Sequence, residues 1–310
     1  MVAGIVAVYV VFFRDGSSDA AGLPGADDCP VMPKDSHWRQ PVDQLPVLGN
    51  SDQIVESIGS GEESHADFGS GKFQGAPIGI PYVAVEGGAE RVPVTFKVAE
   101  ESDPGPYPIP RNAPIEGGPN GDGDRHVIVV DKDECKVYET FSSFPENGGA
   151  KWRAESGAVF DLASNKQRKR GFTSADAAGL PILPGLARPD EVKKGKIDHA
   201  LRITVPTSRQ AFVYPASHFA SEDTDPNQPR MGERVRLKQS FDTSGFPRQS
   251  KVILQALKTY GAIVADNGSA WFISGVPSPE WNDDDLARIG DVPGSAWEVV
   301  DSTKLPKPGD

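Results

Sequence analysis

Acidic side chains in irregular segments are the residues of this 310-residue chain best suited to chemistry. Five stand out: Asp176 in SADAAGL, Glu191 at the end of ARPDE, and Glu116, Asp124 and Asp266. Acid/base cleavage of a glycosidic bond needs two carboxyl groups whose surroundings separate their pKa values. Asp176 is the strongest candidate because a loop rich in Pro and Gly holds its side chains rigidly, although a loop-bracing aspartate has the same pattern. Asp266 opens Asp-Asn-Gly, a sequence equally typical of a tight turn.

Histidine is scarce, with five in the chain. Alternation along residues 199–205 places His199 on the apolar face of a strand, which predicts a hydrogen-bonded core residue. His126 and His218 lie at strand ends, where side chains often line a cleft. These three histidines could alternatively form a metal site, but they lack the short sequence spacing that is typical of metal ligands. The candidate catalytic residues are therefore Asp176, Glu191, His126 and His218.

Arginines supply the candidate substrate-binding groups. Arg234 and Arg236 are two residues apart on one predicted strand and share a face, and Arg202 joins them if its strand pairs with theirs. Such a row suits the carboxylates or sulfates of an acidic glycan, whereas a solvated face that neutralises nearby acids is the simpler alternative. Tyr107 is a candidate for stacking on a sugar, although aromatic residues more often form core.

A glycine-rich segment offers a weak calcium alternative, since Asn120, Asp122 and Asp124 place oxygen side chains at alternate positions. No complete EF-hand loop accompanies them. Our main expectation is therefore that the protein has no metal or other cofactor, with calcium as the alternative. GxSxG, HExxH, SxxK and phosphate-cradling loops are also absent from the sequence, which excludes the common serine-hydrolase, zinc-protease and nucleotide classes.

The net charge bears on the choice of partner, and the cysteines and the apolar run near the N-terminus indicate an exported protein. A net charge of −12 repels phosphate backbones and argues against nucleic acid as a partner. The apolar run 2–13 is typical of a secretory segment or short anchor, with a buried strand as the alternative, and it is the one part expected to meet a membrane. Two cysteines, Cys29 and Cys135, predict a disulfide in an oxidising compartment, unless they are unrelated buried thiols.

Sequence periodicity predicts a β-rich α+β fold of antiparallel sheets, in a sandwich or barrel-like arrangement. The apolar VIVV of the predicted strand 126–130 indicates burial on both faces, and 248–260 is the one clear helix. Hairpins are predicted at 80–98, around Glu-Gly-Gly, and at 200–214. We expect a signal or anchor and linker over 1–28, one domain over 29–302 and a tail over 303–310.

Three long segments rich in Pro and Gly separate these elements: 101–126, 172–191 and 215–232. Their composition favours order without regular structure, so we expect them to gather on one side of a sheet and form the principal cleft.

A set of motifs in a fixed order resembles a family of secreted bacterial proteins. The residues that carry the resemblance include GIPY, ESDPGPYPIP, DRHVIVVD, TSADAAGLPILPGL, HALRITV, MGERVRLK, ALKTYG and ADNGS. It covers nearly the whole chain after Asp28 and implies secretion but no particular activity. The chain departs from the family pattern at Ser64-His65-Ala66-Asp67 and at Trp38-Arg39.

Two functions follow from these features. The first is an extracellular polysaccharide hydrolase or lyase using carboxylate and histidine acid/base catalysis, favoured by the long polar loops. The second is a non-catalytic surface protein that binds a glycan or another cell-envelope component, favoured by the lack of a catalytic signature.

Overall fold

The computed structural model describes residues 22–308, so the predicted signal or anchor segment 2–13 lies outside the described residues. The helices are α1 Ser51–Ile58, α2 Pro189–Lys194, α3 Arg248–Thr259 and α4 Asp283–Ala287. The strands are β1 His65–Asp67, β2 Lys72–Phe73, β3 Ala76–Pro77, β4 Tyr82–Val85, β5 Val94–Phe96, β6 Val127–Asp131, β7 Lys136–Phe141, β8 Phe144–Glu146, β9 Lys151–Ala154, β10 Ser156–Asp161, β11 Leu201–Val205, β12 Arg234–Leu237, β13 Ala262–Asn267, β14 Phe272–Ser274 and β15 Trp297–Val300.

The β-rich α+β class is confirmed. A six-stranded sheet has the order β1-β14-β11-β13-β12-β15, and a four-stranded sheet has the order β10-β7-β6-β4. A three-stranded sheet, β5-β9-β8, and the β2-β3 pair complete the set, and no sheet within residues 22–308 closes into a barrel. The sheets are mixed rather than purely antiparallel, since β1 with β14, β11 with β13, β4 with β6 and β5 with β9 run parallel.

The six-stranded sheet presents one apolar face to the core. Leu201, Ile203 and Val205 on β11 are completely buried, as the alternation predicts. Helix α3 contacts β12, α2 and α4, and its buried side chains include Ile253 and Leu257. The predicted helix 248–260 is thus confirmed to within one residue.

Strand β6 is buried on both faces, as its apolar run predicts. Ile128 and Val130 belong to the main hydrophobic cluster, whereas Val127 and Val129 belong to a second cluster built around Trp152 of β9. The four-stranded sheet therefore lies between the main core and the three-stranded sheet.

Both predicted hairpins are wrong. Strand β4 pairs with β6, whereas β5 pairs with β9 in a different sheet. Segment 211–214 forms no strand and makes only an isolated bridge, from Phe212 to Met231. A turn signal between apolar runs identifies a change of direction but not the partner, because long crossovers allow parallel pairing with a distant strand.

The predicted disulfide is confirmed, since Cys29 and Cys135 are bonded. It joins the start of the described chain to the turn between β6 and β7, and Leu23 and Ala26, within the segment assigned to a linker, are buried in the main core. No helix within residues 22–308 has the length and apolar character required to cross a membrane.

The three long loops meet, as predicted, but they do not form the predicted principal cleft, because the hollow of about 690 Å³ is lined by residues of segments 61–69 and 283–290 with Ile78 and Phe272. The His126 ring contacts the Ala175 carbonyl, at 3.1 Å, and the Ser217 amide donates to the Ala178 carbonyl, at 2.9 Å. The segment around residues 174–178 is therefore the centre at which the other two loops converge.

Candidate functional site

A buried ion-pair network on β11 forms the centre of the candidate site. The same Nη2 atom of Arg202 donates to Oδ1 of Asp176, at 2.9 Å, and to Oδ2 of Asp266, at 3.1 Å. Its Nη1 atom donates to the Ser274 hydroxyl at 2.8 Å. Asp176 is fully buried and Arg202 is 3% exposed, so this guanidinium is committed to groups inside the protein.

A β-bulge brings Asp266 to the face of Arg202. The pairing of β11 with β13 shifts after Ile203, so that Thr204 lies opposite Asp266 rather than Ala265. In a regular ladder Asp266 would lie opposite Val205 and point to the apolar core, because successive side chains alternate. Bulges commonly redirect one side chain beside a functional site. The Asp-Asn-Gly sequence is thus the end of a strand rather than the tight turn it resembles.

Asp67 reaches the same face from the edge strand β1. It is paired in register with Ser274 of β14, the hydroxyl that Arg202 contacts. His65, two residues earlier, stacks against Phe272, with ring centroids 4.3 Å apart. A hollow of about 690 Å³ begins at this aromatic pair.

Three further donors come from the loop that leads into β6. The Glu116 carboxylate lies 2.5 Å from Nδ1 of His126, and the Glu116 amide donates to the His126 carbonyl. The other ring nitrogen of His126, Nε2, donates to the Ala175 carbonyl at 3.1 Å. The Asp124 carboxylate joins them, since ligand atoms of the three side chains all lie within 4.8 Å of one another.

Backbone contacts hold Asp176 in place. The Ser174 hydroxyl accepts from the Asp176 amide and contacts the Leu180 carbonyl, which closes a tight loop. Further along, the buried Glu139 carboxylate of β7 accepts from the Ile182 and Leu183 amides. The loop is therefore attached to the four-stranded sheet on one side and to Arg202 on the other.

We refer to these seven residues as the Arg202 cluster: Asp67, Glu116, Asp124, His126, Asp176, Arg202 and Asp266. Asp67 and Asp124 are exposed, and the Glu116 and Asp266 side chains are each 21% exposed. His126 and Asp176 form the buried floor. Solvent therefore reaches four carboxylates above a buried floor.

The surroundings of the cluster raise the pKa values of three acids. Burial raises the pKa of Asp176 against the opposing charge of Arg202. Burial, with the negative charges of Asp176 and Asp124, raises the pKa of Asp266 to about 6 despite Arg202. Desolvation also raises the pKa of Asp67, with the neighbouring charge of His65 opposing it.

His126 shifts in the opposite sense to an ordinary buried histidine. Burial alone lowers the pKa of an imidazole, but the Glu116 carboxylate beside Nδ1 raises the pKa of His126 to about 9. The imidazolium in turn lowers the pKa of Glu116 against the effect of burial.

Two of the four predicted catalytic residues, Asp176 and His126, belong to the cluster. His218 lies at its margin, where its Nδ1 donates to the Ala177 carbonyl at 2.9 Å and its ring stacks on Phe219. Glu191 lies elsewhere, because it is buried in α2 against Arg188 and His199. Its bonds connect to none of the cluster.

The predicted substrate-binding residues divide in the same way. Arg202 is in the cluster but occupied by its two carboxylates. Arg234 is completely buried and donates to the His37 and Tyr260 carbonyls, and Arg236 bonds to Glu298 and the Val42 carbonyl. Strand β13 lies between β11 and β12, so the predicted pairing of their arginine strands does not form.

Two other predictions place residues away from the cluster. Tyr107 is completely buried, donates to the Asp103 carbonyl and packs on Tyr138, so it presents no ring to a sugar. Of the calcium alternative, Asp124 alone joins a group of metal donors, whereas Asn120 and Asp122 lie outside it.

His199 is a core residue, as the alternation predicts. Its ring contacts the Ala200 carbonyl and Glu191. No three-histidine group forms in the part of the chain that the structure describes.

Asp67 is the residue that the sequence reasoning missed. It lies in a three-residue strand with no apolar alternation strong enough to predict, and its partner Ser274 is 207 positions along the chain. The spacing of His65 and Asp67 was the available signal, since alternate residues of any strand share a face.

Comparison with known proteins gave no matching family model, no matching curated protein and no matching solved structure. The resemblance to a secreted bacterial family therefore stays a prediction, and function rests on the geometry of the cluster.

Proposed function

We propose that this protein is an extracellular enzyme that hydrolyses a glycan by carboxylate acid/base catalysis at the Arg202 cluster. One observation carries the proposal: Asp176 and Asp266 accept from the same nitrogen of Arg202 but differ in exposure. Two oxygens on one nitrogen, at 2.9 and 3.1 Å, lie at most about 6 Å apart, so the buried carboxylate of Asp176 acts directly on the more exposed one of Asp266. Carboxyl pairs in unlike surroundings are the usual source of acid and base roles.

Asp266 is the proton donor in this proposal. Its side chain is 21% exposed, so a leaving-group oxygen can approach it, and Arg202 fixes its orientation. A pKa of about 6 keeps much of its population protonated in mildly acidic solution, as a general acid requires. Asp176 has no exposed surface and acts as a positioning residue.

Asp67 is the base. It lies across the sheet from Asp266, with β14 and β11 between their strands. The positive charge of Arg202, on the intervening strand β11, acts on both carboxyl groups, and a pair that is far enough apart to admit a water favours inversion over retention. The water oxygen bonds to the anomeric carbon while its proton passes to Asp67. The bond from that carbon to the glycosidic oxygen breaks, and this oxygen takes the proton of Asp266.

The charge of the cluster favours a neutral or amino-sugar glycan. Five carboxylates face one arginine and one histidine, and Arg202 is already engaged. An acidic glycan would meet net repulsion, so an acidic substrate and a lyase reaction have less support than the sequence suggested. The disulfide is consistent with an extracellular protein, and it supports secretion alongside the predicted signal segment.

A reducing-sugar screen of neutral, amino-sugar and acidic polysaccharides tests the proposal. We expect release of reducing ends from a neutral or amino-sugar polymer, with a rate that falls as the pH rises above about 6 because Asp266 loses its proton. Asp266→Asn and Asp67→Asn should each reduce kcat by roughly 10²- to 10⁴-fold. Asp122→Asn, an exposed acid in a nearby loop outside the cluster, is the matched control and should keep full activity.

Circular dichroism of each variant separates loss of fold from loss of catalysis. Folded Asp266→Asn and Asp67→Asn variants with undiminished rates would refute the assigned roles. A silent screen accompanied by tight binding on a glycan array would instead establish the non-catalytic binding protein.

A further inference from the structure

A second kind of chemistry is available at the edge of the Arg202 cluster. Residues 116 and 126 face each other across a loop, since the Glu116 amide bonds to the His126 carbonyl and the His126 amide to the Glu116 carboxylate. Asp124 is two residues before His126, and its carboxylate approaches the same point. Donor atoms of the three side chains lie within 4.8 Å of one another, which makes them one convergent group.

The hydrogen bond on the far side of the imidazole prepares His126 to be a ligand. A carbonyl oxygen only accepts, so Nε2 carries the hydrogen that it donates to the Ala175 carbonyl. This bond fixes the ring orientation and leaves Nδ1 facing Glu116 and Asp124. Metal-binding histidines usually have this second contact, which orients the ring and increases its basicity.

The neighbouring turn holds a buried carboxylate with one oxygen bonded to Arg202 and the other without a partner. Asp176 follows Ala175 directly, is completely buried, and its Oδ2 has no hydrogen-bond partner. The cluster as a whole has more carboxylates than cationic groups. A divalent cation at the edge of the cluster would offset this excess, as Arg202 does at the centre.

We propose that Glu116, Asp124 and His126 bind one divalent transition-metal ion, with Zn²⁺ as the best fit. An imidazole with two carboxylates suits zinc better than calcium, which prefers six or more oxygen ligands. On tetrahedral zinc, ligand atoms ~2.0–2.1 Å from the metal are ~3.3 Å from each other. Glu116 and His126, now 2.5 Å apart, would separate by less than ~1 Å.

The exposed side of the site keeps a coordination position open. Asp124 is exposed and Glu116 is partly exposed, whereas His126 is buried. Three protein ligands with solvent at the fourth position are the pattern of zinc sites that act on substrates. The proposal stands apart from the hydrolase proposal, because metal binding is measured without any glycan.

Calorimetric titration of the chelator-treated protein with ZnCl₂, MnCl₂ and CaCl₂, each alone, tests the site. We expect one Zn²⁺ per chain and weaker binding of Ca²⁺. Asp124→Asn and Glu116→Gln should each weaken Zn²⁺ binding at least about tenfold. Asp122→Asn is the matched control, since it removes an acid from the same loop outside the donor group and should leave the affinity unchanged.

Three results would overturn the proposal. The first is no stoichiometric zinc. The second is unchanged zinc affinity in both Asp124→Asn and Glu116→Gln, with folding checked by circular dichroism. The third is preferential calcium binding that Asp122→Asn and Asp124→Asn weaken equally, which would assign the cation to the glycine-rich loop.

Discussion

Arg202 joins two carboxylates that would otherwise repel each other, and this explains why a buried Asp176 is tolerated. A buried charge without a partner is costly, whereas a buried pair with further hydrogen bonds is not. Arg202 has three such partners, because Ser274 also accepts from it. The pKa of Asp266 is consequently set by its burial first, and then by four neighbouring charges: Arg202, Asp176, His126 and Asp124.

The first prediction concerns Asp176→Asn. Removing the negative charge that raises the pKa of Asp266 should lower that pKa. Because the proposed reaction needs Asp266 protonated, the basic limb of the pH profile of kcat/KM should move to lower pH. A merely structural role for Asp176 would reduce the rate without moving the limb, and an unmoved limb in a folded variant would contradict the prediction.

Individual residues could be predicted from the sequence only in part. Asp176, Glu116 and Asp124 are acidic residues in irregular loops, and their residue type is enough to predict them as candidate site residues. Glu191 has the same sequence character but lies against Arg188 and His199. Partners more than 20 positions away, such as Arg202 for Asp176, decide between catalytic and structural roles, and no local pattern encodes them.

At the scale of elements, one buried acid attaches the central loop to a strand. Glu139 of β7 is completely buried and accepts from the Ile182 and Leu183 amides. Burial raises the pKa of Glu139 to about 7, and the negative charge of Asp176 adds to this effect. The hydrogen bonds from the two amides and the positive charge of His126 oppose it. Protonated Glu139 therefore stabilises the folded chain relative to its ionised form.

We predict that this attachment makes stability depend on pH. A raised folded-state pKa gives stability that is fully present below the ordinary glutamate pKa and is lost as the pH rises through about 7. The free energy of unfolding of the native protein, minus that of Glu139→Gln, should fall by about 3 kcal/mol between pH 4.5 and 8. Urea titrations across this range, with chelator present, measure it, and a constant difference would contradict the assignment.

The contact between two loops depends on one glycine. Gly179 has φ +72, and a Cβ there would lie 2.1 Å from the Ser217 hydroxyl and 2.6 Å from the Phe172 carbonyl. Gly171 has a similar φ of +86 but no atom within 4 Å of its Cβ position. A residue with a side chain would therefore be strained by the backbone conformation at both positions, but it would lack space only at Gly179.

Replacing each glycine by alanine separates these effects. Gly171→Ala should cost roughly 1–2 kcal/mol from the left-handed backbone alone. Gly179→Ala should cost a further 1–3 kcal/mol, approximately, because the new methyl displaces Ser217. Thermal unfolding of both variants is the measurement. Equal decreases in the free energy of unfolding would mean that the loop around Ser217 moves to admit the new methyl group without cost.

Elements were more predictable than their arrangement. Helix α3 follows from local periodicity, and its bounds agree with the prediction to within one residue. The pairing of β4 with β6, and the bulge that turns Asp266 toward Arg202, depend on chain segments far apart. Sequence periodicity specifies which face of a strand is apolar, but not which strand lies beside it.

At the scale of the whole molecule, the disulfide between Cys29 and Cys135 lies far from the Arg202 cluster. Strand β6 begins after His126 and ends before the turn that holds Cys135. The five residues of this strand span roughly 17 Å. The disulfide therefore lies at the far end of this strand, and cluster and bond are held apart by a strand buried on both faces.

The last prediction follows from this separation. The disulfide joins residues 106 positions apart, and closing a loop of that length should stabilise the folded state by roughly 4 to 5 kcal/mol. The double variant Cys29→Ser/Cys135→Ser should therefore unfold at much lower urea concentration than the native protein. Below its unfolding transition it should keep the zinc affinity and the pH profile of the native protein, because no residue of the Arg202 cluster contacts the bond. Loss of zinc affinity in the still-folded variant would show that the start of the described chain shapes the site through β6, and that the two ends of this strand are coupled.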